Sequence, residues 1–151
     1  MLTLRWLATA ATAGFTAMTV ALPAALATPT APQADGVYRY SDATEPNVMG
    51  ATYMTFELRQ GRLLGAFYQP HSSFDCFVGE VAGDRLTLAV TESYSQDTYA
   101  YEMALIPSPV ATQGDGPVSL NLAGLQPLPT VSALDHDLLN TCRAALGEPS
   151  R

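Results

Sequence analysis

The chain has 151 residues, with seven arginines, no lysine, fourteen acidic residues and a formal charge of −7. That length suits one domain with one main core. An acidic, lysine-free chain is a poor match for nucleic acid or an anionic membrane surface, because both need cationic groups.

The chain opens with MLTLRWLATAATAGFTAMTVALPAALA. One arginine, Arg5, precedes an uncharged apolar stretch, then Pro23 and the small-residue site Ala25-Leu26-Ala27. This order predicts a secretory signal peptide over 1–27, cleaved before Thr28. An uncleaved anchor is the alternative, since the apolar stretch is almost long enough to span a bilayer. No cysteine lies near the cut, which excludes a lipoprotein anchor, and a lone arginine argues against twin-arginine export. After cleavage, six arginines against fourteen acids leave a charge of −8 and no stable membrane span. The expected location is the periplasm or the extracellular side.

Residues 28–35, TPTAPQAD, are proline-rich and aperiodic, and read as a flexible leader. A single domain is then expected over 36–149. Short aromatic and aliphatic runs follow at 36–40, 51–58, 61–69, 74–81, 84–90 and 99–106, with a seventh at 117–124. The segments RQGR, QPHSS and VAGDR between them carry turn chemistry, and such close spacing predicts antiparallel hairpins rather than helical crossovers. Alternation places Thr52, Met54, Phe56 and Leu58 on one side of their strand. It places Phe74, Cys76 and Val78 opposite Asp75, Phe77 and Gly79. Gly65 and Gly79, inside strands, suggest bulges or strong coiling. The expected fold is mainly β (α+β): a strongly curved antiparallel sheet or small β-barrel of six to seven strands, with one C-terminal helix.

That helix is predicted over 132–149, where Ser132 and Asp135 approach a capping box. Leu134, Leu138, Cys142 and Ala145 form an apolar stripe, and Gly147 with Pro149 stops the helix. Cys76 and Cys142 therefore both sit on apolar faces, as two halves of a strand-to-helix clamp. A disulfide between them fits an oxidising compartment. Closing a loop of that size stabilises a fold by about 4 kcal/mol in the chain-entropy picture.

The stretch His71-Ser72-Ser73-Phe74-Asp75-Cys76 collects an imidazole, two hydroxyls, a carboxylate and a thiol. A hydrolase using His71, Ser72, Ser73, Asp75 and Cys76 is one reading. Neighbouring strand residues face opposite ways, however, and no G-x-S-x-G elbow is present. A turn followed by a bridged cysteine explains the string better. Metal ligation by His71, His136, Asp135 and Asp137 lacks any standard spacing, and consecutive helical residues diverge, so no metal or cofactor is expected. The aromatic rows offer more. Tyr99 and Tyr101 share a face, as do Tyr38 and Tyr40, and such rows suit a barrel mouth holding a small apolar or sugar-like ligand. Cross-strand aromatic pairing that only stabilises the sheet is the simpler account of the same residues.

The strings DGVYRYSDATEPNVMGATYMTFEL and LLGAFYQPHSSFDCFVGEV resemble a family of small exported cyanobacterial proteins. In that family a G-x-Y start, a G-A-F-Y-x-P-x-S-S-F-D-C-F core and a late cysteine recur. The matching positions are Gly36, Tyr38, the stretch from Gly65 to Phe77, and Cys142. The resemblance covers most of the mature chain. It implies export and a shared fold, and it brings no catalytic residue with it. The reading reached is a non-enzymatic exported domain that binds a small molecule or a protein partner.

Overall fold

The computed structural model describes residues 34–106 and 120–147. The expected signal peptide and most of the leader lie outside the described residues. Seven strands form one antiparallel sheet: β1 (Gly36–Ser41), β2 (Tyr53–Arg59), β3 (Arg62–Tyr68), β4 (Phe74–Ala82), β5 (Arg85–Thr91), β6 (Thr98–Ala104) and β7 (Gln126–Pro127). One helix, α1 (Ala133–Leu146), follows. The first six strands pair with their chain neighbours, and β7 adds to the free side of β1.

Alternation sorts the side chains as the sequence predicts. On the inner face, Tyr40, Met54, Phe56, Leu58, Phe77, Leu88 and Val90 belong to one core. On the outer face, Tyr53, Leu64, Ala66, Tyr68 and Cys76 pack against Leu138, Leu139 and Cys142 of α1. The pairing registers run without interruption, so the strand glycines mark coiling and not bulges. Gly65 pairs with Phe56 on one side and Phe77 on the other. A Cβ there would collide with the Thr55 carbonyl, the Phe77 ring and Phe56 Cβ. Gly79 is similarly closed off by the Thr87 carbonyl and Leu88. Both gaps let large neighbours close over the inner face.

The curvature can be measured from two rings. Phe67 on β3 and Tyr101 on β6 are separated by two intervening strands, about 14 Å in a flat sheet. Their ring centroids are 5.9 Å apart, edge to face. The sheet is strongly curved, but it is not closed into a barrel. Its end strands are β6 and β7. The chain between them supplies a partial closure: Ile106 N–H donates to Asn121 O (2.7 Å) and Ala123 N–H to Ala104 O (3.0 Å). A few residues later, Leu128 N–H donates to Arg39 O (2.8 Å) beside β1. Leu120 and Leu122 on this strap fill the open side of the inner core.

The seventh strand is displaced from its expected place. Within 117–124, residues 117–119 lie outside the described residues, and Leu122 makes only an isolated bridge to Leu105. Gly124, at φ +79°, turns the chain out of extended geometry, so pairing resumes only at Gln126. The helix also departs from expectation. Ser132 is the N-cap of a true capping box with Asp135, and Gly147 is the C-cap. The buried stripe is Asp135, Leu138, Leu139 and Cys142, while Leu134 and Ala145 are exposed. The apolar stripe read from the sequence is thus rotated, because a buried carboxylate occupies a core-facing position. Among the described residues no helix is long and apolar enough to cross a membrane.

Candidate ligand-binding site

Two concavities lie at the end of the sheet where β3 leads into β4, one on each face. The inner one encloses about 400 Å³, and its walls include Phe67, Tyr99, Tyr101, Met103, Asp42 and Asp75. Ala123, Gly124 and Leu125 of the strap form the remaining side. Strand alternation sends Phe67, Asp75, Tyr99 and Tyr101 inward, and register sets Phe67 directly opposite Asp75. Tyr99 and Tyr101 are nearly half exposed, so their rings border solvent rather than the closed core.

The two carboxylates are held by the backbone. Asp75 Oδ1 accepts from Ser93 N–H (2.9 Å), and Asp42 Oδ1 accepts from Thr52 N–H (3.0 Å). Neither enters an ion pair among the described residues, whereas Glu57, Asp84, Glu102 and Asp135 all do. Among the described residues no arginine lines the cavity. Burial raises the Tyr99 hydroxyl pKa above the ordinary tyrosine value, and the charges of Asp75 and Glu92, then Tyr101, push the same way. The mouth is therefore an aromatic cup in a negative field.

The other two tyrosines of the sequence reading are placed elsewhere. Tyr38 and Tyr40 do share a face, but both stack on Phe56, at 5.5 and 5.7 Å between centroids. Tyr40 is fully buried, and its hydroxyl pKa is raised by that burial and then by Tyr38, against the Leu120 backbone. Tyr38 donates its hydroxyl to Ala34 O (2.6 Å). They are core and rim residues of β1, and neither lines the inner cavity.

The outer concavity, about 540 Å³, is lined by His71, Ser72, Tyr68, Phe74, Leu134 and Leu138, with Asn47, Gln69 and Pro70 at its edge. Ser72 N–H donates to Gln69 O (3.1 Å), Pro70 follows Gln69, and His71 has φ +64°. That combination is a type II turn with histidine in the position glycine usually takes. Cys76 is bonded to Cys142, with Cα atoms 5.4 Å apart, and no free cysteine remains among the described residues. Asp75 faces the other cavity. The His71–Cys76 string is thus split between two faces, a turn and a disulfide.

Behind this outer cleft lies a buried ionic cluster. Asp135 Oδ1 accepts from the Tyr68 hydroxyl (2.9 Å), and Asp135 Oδ2 accepts from Ser132 N–H (2.7 Å) and Oγ–H (2.6 Å). Arg39 Nε lies 3.4 Å from Asp135 Oδ2, with its guanidinium 5.0 Å from the centre of the Tyr53 ring. Burial, and then Asp135, raises the Tyr68 hydroxyl pKa. Both Asp135 oxygens accept hydrogen bonds, Arg39 Nε approaches as an ion-pair partner without a hydrogen bond of its own among the described residues, and the cluster fastens the start of α1 to the sheet. Neither His71 nor exposed His136 joins it, and among the described residues no group of three or more His, Cys, Asp or Glu is arranged to hold a metal ion.

Sequence reading missed Phe67, Met103 and Asp42 as wall residues. Phe67 carries the clearest signal, two places beyond Gly65 on the same face. The strap at Gly124–Leu125 is a long-range arrival with no local signature. No family model matches the chain, and no curated protein or solved structure shows a significant match to it.

Proposed function

We propose that this chain is an exported, non-enzymatic domain, periplasmic or at the cell surface, that holds a small ligand in the inner mouth. The observation carrying this reading is the convergence of Tyr99, Tyr101 and Phe67 around an open cavity of about 400 Å³. That volume falls within the range of small-molecule sites, and exposed aromatic walls supply contact area with few rotamers to freeze. Export is supported by the N-terminal charge–apolar–small-residue order and by the Cys76–Cys142 bridge, which oxidising compartments preserve. Membership of the small exported cyanobacterial family is part of the same proposal.

The test is a ligand screen on the wild-type chain and on a Tyr99→Leu/Tyr101→Leu variant. Hits that bind wild type and lose at least tenfold in the variant are expected. Equal binding to both proteins would move the site away from the mouth. The hydrolase alternative retains only His71 and Ser72 in one cleft, without the thiol of Cys76 or the carboxylate of Asp75. A serine-directed fluorophosphonate should leave Ser72 and Ser73 unlabelled; stoichiometric labelling would restore that reading.

A further inference from the structure

The chemistry of the mouth narrows the ligand class. Its apolar surface combines the rings of Phe67, Tyr99 and Tyr101 with Met103, Ala123 and Leu125. Among the described residues that line it, the charged groups are all of one sign. Asp42 and Asp75 each commit Oδ1 to a backbone amide and form no ion pair among the described residues. Arg39 and Arg85, by contrast, are tied to Asp135 and to Asp84 with Glu102. Glu92, at the end of β5, adds to the negative field felt by Tyr99.

We infer that the mouth binds a small organic cation of the alkylammonium class, with the rings of Phe67, Tyr99 and Tyr101 facing the cationic head and Asp42 and Asp75 neutralising it. This rests on the reading of the mouth as a ligand site. Aromatic faces carry negative potential and attract quaternary ammonium groups, whose weak hydration makes them easy to strip of water. Two carboxylates beside such rings disfavour an anion and add attraction for a cation. A neutral sugar would use the rings and could donate hydroxyls to the carboxylates, but it would leave their charge unneutralised.

The probes are choline and its uncharged carbon isostere, dimethylbutanol, titrated into the full disulfide-bonded chain by NMR at fixed ionic strength. Choline should shift the ring signals of Tyr99 and Tyr101 and bind about tenfold or more tightly than the isostere. Asp75→Asn keeps an Oδ1 acceptor for Ser93 N–H and removes only the charge. It should weaken choline several-fold and leave dimethylbutanol unchanged, with Asp42→Asn as an independent second variant. Tyr99→Leu should weaken both probes. Equal binding of choline and isostere, or a preference for a neutral sugar, would overturn the cation inference while the mouth stood as a site. No ring shift with choline, the isostere or a sugar in the millimolar range would overturn the inference and the site together.

Discussion

Asp135 and Asp75 are both aspartates beside tyrosines, one on each side of the same sheet, and their surroundings are opposite. Asp135 is fully buried and meets Tyr68, Ser132 and Arg39. Asp75 is half-buried at an open mouth, meets one backbone amide, and has Tyr99, Tyr101 and Phe67 around it with no cation among the described residues. Buried charge persists in folded proteins when it is paired and hydrogen-bonded, so the Asp135 carboxylate on the outer face serves as a structural device. A half-solvated carboxylate in an aromatic cup leaves attraction available for something that arrives from solution. Fastening and binding are thus divided between the two faces.

The division can be broken on the outer face first. Cys142→Ser should have the largest effect, about 4 kcal/mol, because a 66-residue separation is no longer closed in the unfolded chain. Urea denaturation checks this, and a loss below ~1 kcal/mol would show that the clamp is dispensable. Asp135→Ala should cost roughly 3 kcal/mol or somewhat more, since it strands Arg39 in a buried setting. Tyr68→Phe removes one hydrogen bond to a charged acceptor and should cost about 1.5–2 kcal/mol.

Glu57 sharpens the comparison by pH. Burial acts to raise its carboxyl pKa, but hydrogen bonds from Arg59 and Arg143, and their charges, outweigh that and lower it. A lowered folded-state value stabilises the protein above the unfolded glutamate pKa and is lost as pH falls through the folded value. Glu57→Gln should therefore cost under ~1 kcal/mol at neutral pH, as suits a partly exposed pair, and nearly nothing in strong acid. Matched denaturation curves at the two pH values check the sign; a larger cost in acid would reverse it. The smallest stability effect belongs to the mouth. Tyr99→Leu/Tyr101→Leu should leave stability within about 0.5 kcal/mol, since both rings are substantially exposed, while ligand binding falls.

How much of this was legible in the sequence follows from range. Alternation placed Met54, Phe56 and Leu58 opposite Tyr53, and put Cys76 on the face that meets Cys142, because a strand's period is local. Turn residues fixed the hairpins for the same reason. The rotated helix stripe was not legible, because Asp135 looks like a capping residue until Arg39, 96 positions earlier, is seen beside it. Of the four tyrosines proposed for a mouth, local pattern could give shared faces but not exposure. Cross-strand register sets Tyr38 directly opposite Phe56 and Tyr40 diagonal to it, so both stack on that ring, while Tyr99 and Tyr101 stay nearly half exposed. The strap at Leu122–Leu125 begins inside the run read at 117–124, but where it docks depends on the whole sheet's coil and has no local signal.

The most direct measurement is an amide shift map of the intact chain titrated with choline. Perturbations clustered at Asp42, Asp75, Tyr99, Tyr101 and Gly124, with α1 silent, are the predicted result. Perturbations centred on His71, Ser72 and Leu134 would contradict the assignment of binding to the inner face.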